Sequence, residues 1–193
     1  MAEGPLMGLI FTLLYPLGWV FYVLVPLAPV IYLVLRWRTY REGAPPEPQL
    51  GLKVVLHYFR TIGYHVLLAG GFCLLYGLLS EEQRWLLLRL AAALLITGGA
   101  VFGLHVWFLV RFSDNASRPA VSRFYNGFNA LVCGLLTTGA LAVGLGGALA
   151  EEPAWEVVRI CAALVVVYGA SWVGQTRLLI RRTPPAADPP AAA

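Results

Sequence analysis

The chain has 193 residues, 59% hydrophobic and only 12% charged, with a formal net charge of +4, whereas a soluble domain carries about 25% charged residues. With a mean hydropathy of +0.73, this composition excludes an ordinary water-soluble globule, and the length leaves no room for a separate soluble domain beside several membrane spans. Cys73, Cys133 and Cys161 all fall in apolar stretches; an odd count without close spacing excludes a disulfide framework or a zinc site, and they are read as small packing residues.

No Asp, Glu, Lys or Arg occurs in residues 4–35, 61–80, 90–110, 124–150 or 160–176. About 20 apolar residues cross a bilayer, so the expected fold is all-α, a polytopic membrane protein with five transmembrane helices forming one domain over residues 1–182. The first span, residues 7–35, contains Pro16, Pro26 and Pro29. Each removes a backbone donor and crowds the preceding turn, which predicts a kinked helix. The opening MAEGPLMG has no basic segment, and the apolar run outlasts the roughly 7–15 residues of a cleaved leader, so it is read as a span. The linker WRTYREGAPPEPQ, with Pro45, Pro46 and Pro48, is a semi-rigid spacer.

The second span is expected from about Leu50 to Leu79. Ser80, followed by Gln83 three residues later, has the capping-box spacing that would start the third span. Trp85 marks the membrane boundary, and Arg89 lies one turn on, where it can cover the indole or reach back to water. The third span runs to about Val110 and the loop RFSDNASRP follows. Its Asn115-Ala116-Ser117 sequon is discounted as cytoplasmic, and Pro119 suits the first turn of a helix. The fourth span is expected to end near Ala150, and the fifth to run from Pro153 to about Arg182. The tail of residues 183–193, rich in Pro and Ala, has nothing to bury and is read as disordered.

One phrase occurs twice: EEQRWLLLRLAAALL from Glu81 and EEPAWEVVRICAALV from Glu151. Glu81, Trp85, Arg89, Gly99 and Arg111 match Glu151, Trp155, Arg159, Gly169 and Arg181 at an offset of 70. The preceding helices match through GYHVLLAG (63–70) and GFNALVCG (127–134) at an offset of 64, which requires six extra residues in the Gly-rich end of the fourth span. Residues 50–111 and 118–182 are therefore read as two tandem hairpins forming a parallel repeat, with Trp85, Arg89, Trp155 and Arg159 as equivalent interfacial anchors.

Charge sets the orientation. Arg36, Arg38, Arg41, Lys53, Arg60, Arg111, Arg118, Arg123, Arg177, Arg181 and Arg182 fall on one side of five alternating spans, and only Arg84, Arg89 and Arg159 on the other. Cytoplasmic loops are the basic ones. The N-terminus is expected outside and the C-terminus in the cytoplasm, in a plasma membrane of the bacterial inner-membrane kind. The inner arginines are expected to touch anionic headgroups; spread over three short segments, they do not form the continuous patch of a nucleic-acid binder.

Polar groups inside a bilayer are costly and mark candidate sites. They are His57, His65 and His105, with Asn129 and Gln175 at the positions the repeat assigns to His65 and His105. No carboxylate or lysine lies in a span core, and no phosphate loop, nucleophile elbow or metal-ligand spacing occurs. The leading expectation is thus a non-enzymatic subunit of a membrane complex or a small channel or transporter, without cofactor or metal, associating with other membrane subunits or with itself. The alternative is a membrane anchor that binds haem b through His57, His65 or His105 for electron transfer, with Gly98, Gly99 and Gly103 admitting the macrocycle. A lipid-modifying enzyme ranks third.

Overall fold

A computed structural model describes residues 26–43, 47–81, 83–114 and 119–181. They form five helices: α1 over residues 26–41, α2 Leu50–Leu79, α3 Arg84–Phe112, α4 Ala120–Ala148 and α5 Trp155–Arg181. The protein is all-α, and α2 to α5 are each long and apolar enough to cross a membrane. At 1.5 Å per residue the 30 residues of α2 extend about 45 Å, beyond the roughly 30 Å of hydrocarbon. The stretch 7–25 of the expected first span, with Pro16, lies outside the described residues, as do the sequon and the tail; Pro26 and Pro29 stand in the first turn of the described part of α1.

Local chemistry explains the helix ends. α1 closes at Gly43, whose φ of 62° is the left-handed conformation that a C-terminal glycine adopts without steric cost. α4 starts directly after Pro119, whose missing N–H costs nothing there. The capping box expected from Ser80 does not open α3. The helix begins at Arg84 and the carbonyl of Gln83 accepts from the Leu87 amide at 3.0 Å, so Gln83 takes the capping position while Ser80 still closes α2 through its amide to Tyr76 O at 2.8 Å.

The chain divides into two compact units, one of residues up to Gly63 with Val101–Val121, the other of Tyr64–Ala100 with the residues from Ser122 on. In the first unit Ile31, Leu50, Val54, Leu56, Leu109 and Val121 form the core. Gly51 faces the ring of Tyr32, and Gly63 brings α2 onto α3 so closely that a Cβ there would lie 2.5 Å from the Phe102 amide nitrogen. Lys53 is wholly buried and paired with Glu47 and, at 2.7 Å, with Asp114. Gln49 Oε1 accepts from the Asp114 amide at 2.8 Å, so the segment before α2 is tied to the segment after α3.

In the second unit α2 is the shared neighbour. It meets α3 where Gly70 faces Leu95 and Gly77 faces Leu87, and α5 where Gly71 faces Val167. α4 and α5 approach at Gly134 against Trp172, Thr137 against Gly169, Gly144 against Cys161 and Gly147 against Val157. Small residues permit this contact between backbones where apolar side chains gain nothing over lipid. Accordingly 44% of the most apolar stretch of α2 is buried, against 11%, 22% and 17% for α3, α4 and α5.

α2 begins at residue 50 and α4 at 120, and Gly77 faces Leu87 and Leu88 as Gly147 faces Val157 and Val158. These helix starts and these glycine contacts are each 70 residues apart. The phrases that align at 64 carry residues that meet each other: His65 and Asn129 are buried side by side.

Candidate functional site: a polar layer across α2, α4 and α5

Tyr64 and His65 lie halfway along α2, about 15 residues from either end, so the 30-residue helix holds them near the level where polar groups are most expensive. Tyr64 OH is hydrogen-bonded to Ser171 Oγ of α5. Ser171 Oγ lies 3.2 Å from Cys133 Sγ of α4, and one turn along α4 Thr137 donates to the Cys133 carbonyl at 2.7 Å. His65 and Asn129, each 2% exposed, lie beside each other across α2 and α4. Three helices are thus joined by neutral donors and acceptors.

The layer is not internally closed. Among the described residues His65 Nε2, Asn129 Oδ1 and Gln175 Oε1 are buried without a hydrogen-bond partner. Gln175 lies one turn beyond Ser171 on α5, and Asn129 one turn before Cys133 on the antiparallel α4. Each unpaired polar atom costs about 1–3 kcal/mol, a cost that water or a polar guest would remove. Among the described residues this layer is built of neutral side chains, whose available chemistry is hydrogen bonding.

The other sequence candidates lie elsewhere. His57 is buried in the first unit, two turns before His65 on α2. His105, also in the first unit, stacks on Phe59 at 5.2 Å and lies 2.7 Å by Nδ1 from the Val101 carbonyl. A carbonyl only accepts, so Nδ1 carries the proton. Gly63 brings α2 to the backbone of α3 at Phe102, one turn from His105, and no group of three metal-ligating side chains occurs among the described residues. Gly103 has open space and Gly99 meets Leu67 at 3.8 Å. Trp85 and Trp155 are 74% and 62% exposed; Arg159 donates to Glu156 at 3.4 Å, and Glu156 also accepts from Tyr76 OH.

The Tyr64, Ser171 and Cys133 contacts were missed by sequence reasoning. Hydroxyls and thiols are tolerated in any membrane helix because they can bond their own backbone, so their types carry little signal. No protein-family model, curated protein or solved structure matches this chain.

Proposed function

We propose that this is a non-enzymatic integral membrane protein acting as a small channel or transporter for an uncharged polar solute, water included, with the layer of His65, Asn129, Ser171 and Gln175 as its selective element. The observation that carries this reading is the trio of buried polar atoms in this layer, His65 Nε2, Asn129 Oδ1 and Gln175 Oε1, that have no hydrogen-bond partner among the described residues. Neutral donors and acceptors bind a neutral hydrogen-bonding guest and offer no counter-charge to an ion. The positive-inside distribution of the basic residues supports a cytoplasmic C-terminus in a plasma membrane. Reconstitution into liposomes tests the proposal. Water and glycerol flux by light scattering should exceed that of empty vesicles, and replacing Asn129 by Leu should reduce it. Flux equal to that of empty vesicles would sink the transport reading.

A second reading, a subunit of a membrane complex, is favoured by α3, whose most apolar stretch is only 11% buried. That face suits lipid or partner helices, and proteins co-purifying in mild detergent would support it. The haem alternative rests on His105, because a ring that donates through Nδ1 to a carbonyl presents Nε2 in the form that binds iron. It needs a second axial ligand and space for the macrocycle, and the close contact of α2 with α3 argues against both between these helices.

A further inference from the structure

A cavity of about 390 Å³ lies in the first unit, lined by Tyr32, Arg36, Thr39 and Tyr40 of α1 and by Glu47 and Gly51 before and within α2. Its size is within the range of small-ligand sites, roughly 300–1,000 Å³. Arg36 donates through Nη1 to Tyr32 OH at 2.9 Å and lies 5.9 Å from the centre of that ring. One of its five N–H groups is used to hold the guanidinium, and the planar fork remains for an acceptor. Glu47 is already paired with the buried Lys53. Among the described lining residues Arg36 is the cation, and the carboxylate of Glu47 is turned to Lys53.

The flanking residues fix what kind of anion reaches it. On the N-terminal side of the cavity α1 exposes Val30, Leu33 and Val34, and on the C-terminal side Trp37 and Tyr40, with Arg41 over the Trp37 ring at 5.1 Å. An apolar face that gives way to Trp, Tyr and Arg is the profile of a helix leaving hydrocarbon for headgroups. The cavity opens at that transition.

We propose that this cavity holds the phosphodiester of one anionic phospholipid of the phosphatidylglycerol kind, its phosphate on the Arg36 fork and its acyl chains along Val30, Leu33 and Val34. Arg–phosphate contact is bidentate and charge-assisted. A choline or ethanolamine headgroup would bring an ammonium that Glu47, held by Lys53, does not receive. The inference rests on the membrane reading of the chain and is independent of what the polar layer of the second unit conducts.

The test uses the full chain, purified in detergent and delipidated, with lipid binding followed by native mass spectrometry and thermal unfolding. Dioleoylphosphatidylglycerol should bind one molecule per chain and raise the midpoint, while dioleoylphosphatidylcholine and inorganic phosphate should not. Arg36→Gln should bind roughly fivefold more weakly, the size of one juxtamembrane cation's attraction to an anionic leaflet. Arg36→Lys should be intermediate, and Arg41→Gln, with the same charge loss outside the cavity, should bind as the parent does. Equal binding of the choline lipid, equal effects of Arg36→Gln and Arg41→Gln, or stabilisation by inorganic phosphate alone would each overturn the proposal. Should Arg36→Gln fail to fold, the lipid selectivity of the parent and the Arg36→Lys affinity decide it. A chain that remains soluble without detergent would instead refute the membrane reading itself.

Discussion

Gly63 and Phe102 hold α2 and α3 at backbone contact: a Cβ added at Gly63 would sit 2.5 Å from the Phe102 nitrogen and 3.0 Å from its Cα. Backbone cannot swing aside as a side chain can, so the helices must separate to admit a methyl group. Gly63→Ala should therefore destabilise by about 1–3 kcal/mol, the usual cost of overpacking. Gly103→Ala, where nothing lies within 4 Å, should be neutral or stabilise by up to about 1 kcal/mol through helix propensity. Unfolding in mixed micelles measures both; equal stability of the two variants would remove Gly63 from the interface.

Lys53 is the only lysine, and its charge invites reading it as one of the residues that hold topology. Its burial gives it a second role, because it forms ion pairs with both Glu47 and Asp114. Lys53→Met should cost roughly 2–4 kcal/mol, somewhat under the ~3–5 of a fully buried broken pair, since the Asp114 side chain is 29% exposed. Adding Glu47→Gln and Asp114→Asn should recover most of the loss. A triple variant no more stable than Lys53→Met would show that the ion pairs are not what Lys53 contributes.

Spans were legible because a bilayer imposes a length and a charge rule that act on local sequence. Leu50 and Leu79 bound α2 where the apolar run predicts. Which helices touch is set by shape, and here the sequence was only half readable. Gly63, Gly70 and Gly77 recur every seven residues on α2 and each meets α3, a period that specifies a helix contact but does not name the partner. His65 and Asn129 are buried beside each other, a juxtaposition that local sequence does not announce. The Gln83 cap departed from the Ser80 pattern because Ser80 remains bonded to the last turn of α2.

His65 and Asn129 should be energetically coupled. In a double-mutant cycle with His65→Leu and Asn129→Leu, the interaction free energy should be about 0.6–1.7 kcal/mol, the range for hydrogen bonds between membrane helices. Asn129→Leu alone should destabilise more than the double change, because it strands a buried imidazole. Additive effects would mean that the two side chains do not act together.

Orientation can be checked independently of function. Single cysteines at Ser113 and Glu151, in a background with Cys73, Cys133 and Cys161 replaced by Ala, should be labelled by an impermeant maleimide from opposite faces of intact cells, Glu151 from outside and Ser113 only after permeabilisation. The two sites flank α4, which must cross the membrane once for this result. Labelling of both from outside would contradict the crossing, and reversed sidedness would keep the spans while overturning the charge-based orientation.

Spectroscopy separates the remaining functional readings. Purified in mild detergent, the protein should show no Soret band, because Gly63 and Phe102 hold α2 and α3 at backbone contact one turn from His105 and His65 is buried beside Asn129. Carboxamides are poor ligands for iron, so Asn129 and Gln175 do not supply a missing axial position. Haem added to the apoprotein should bind without saturation at one per chain, and His105→Ala should leave the spectrum unchanged. A stoichiometric b-type spectrum that disappears in His105→Ala would require α2 and α3 to part at Gly63, and would replace solute passage by electron transfer as the function of this fold.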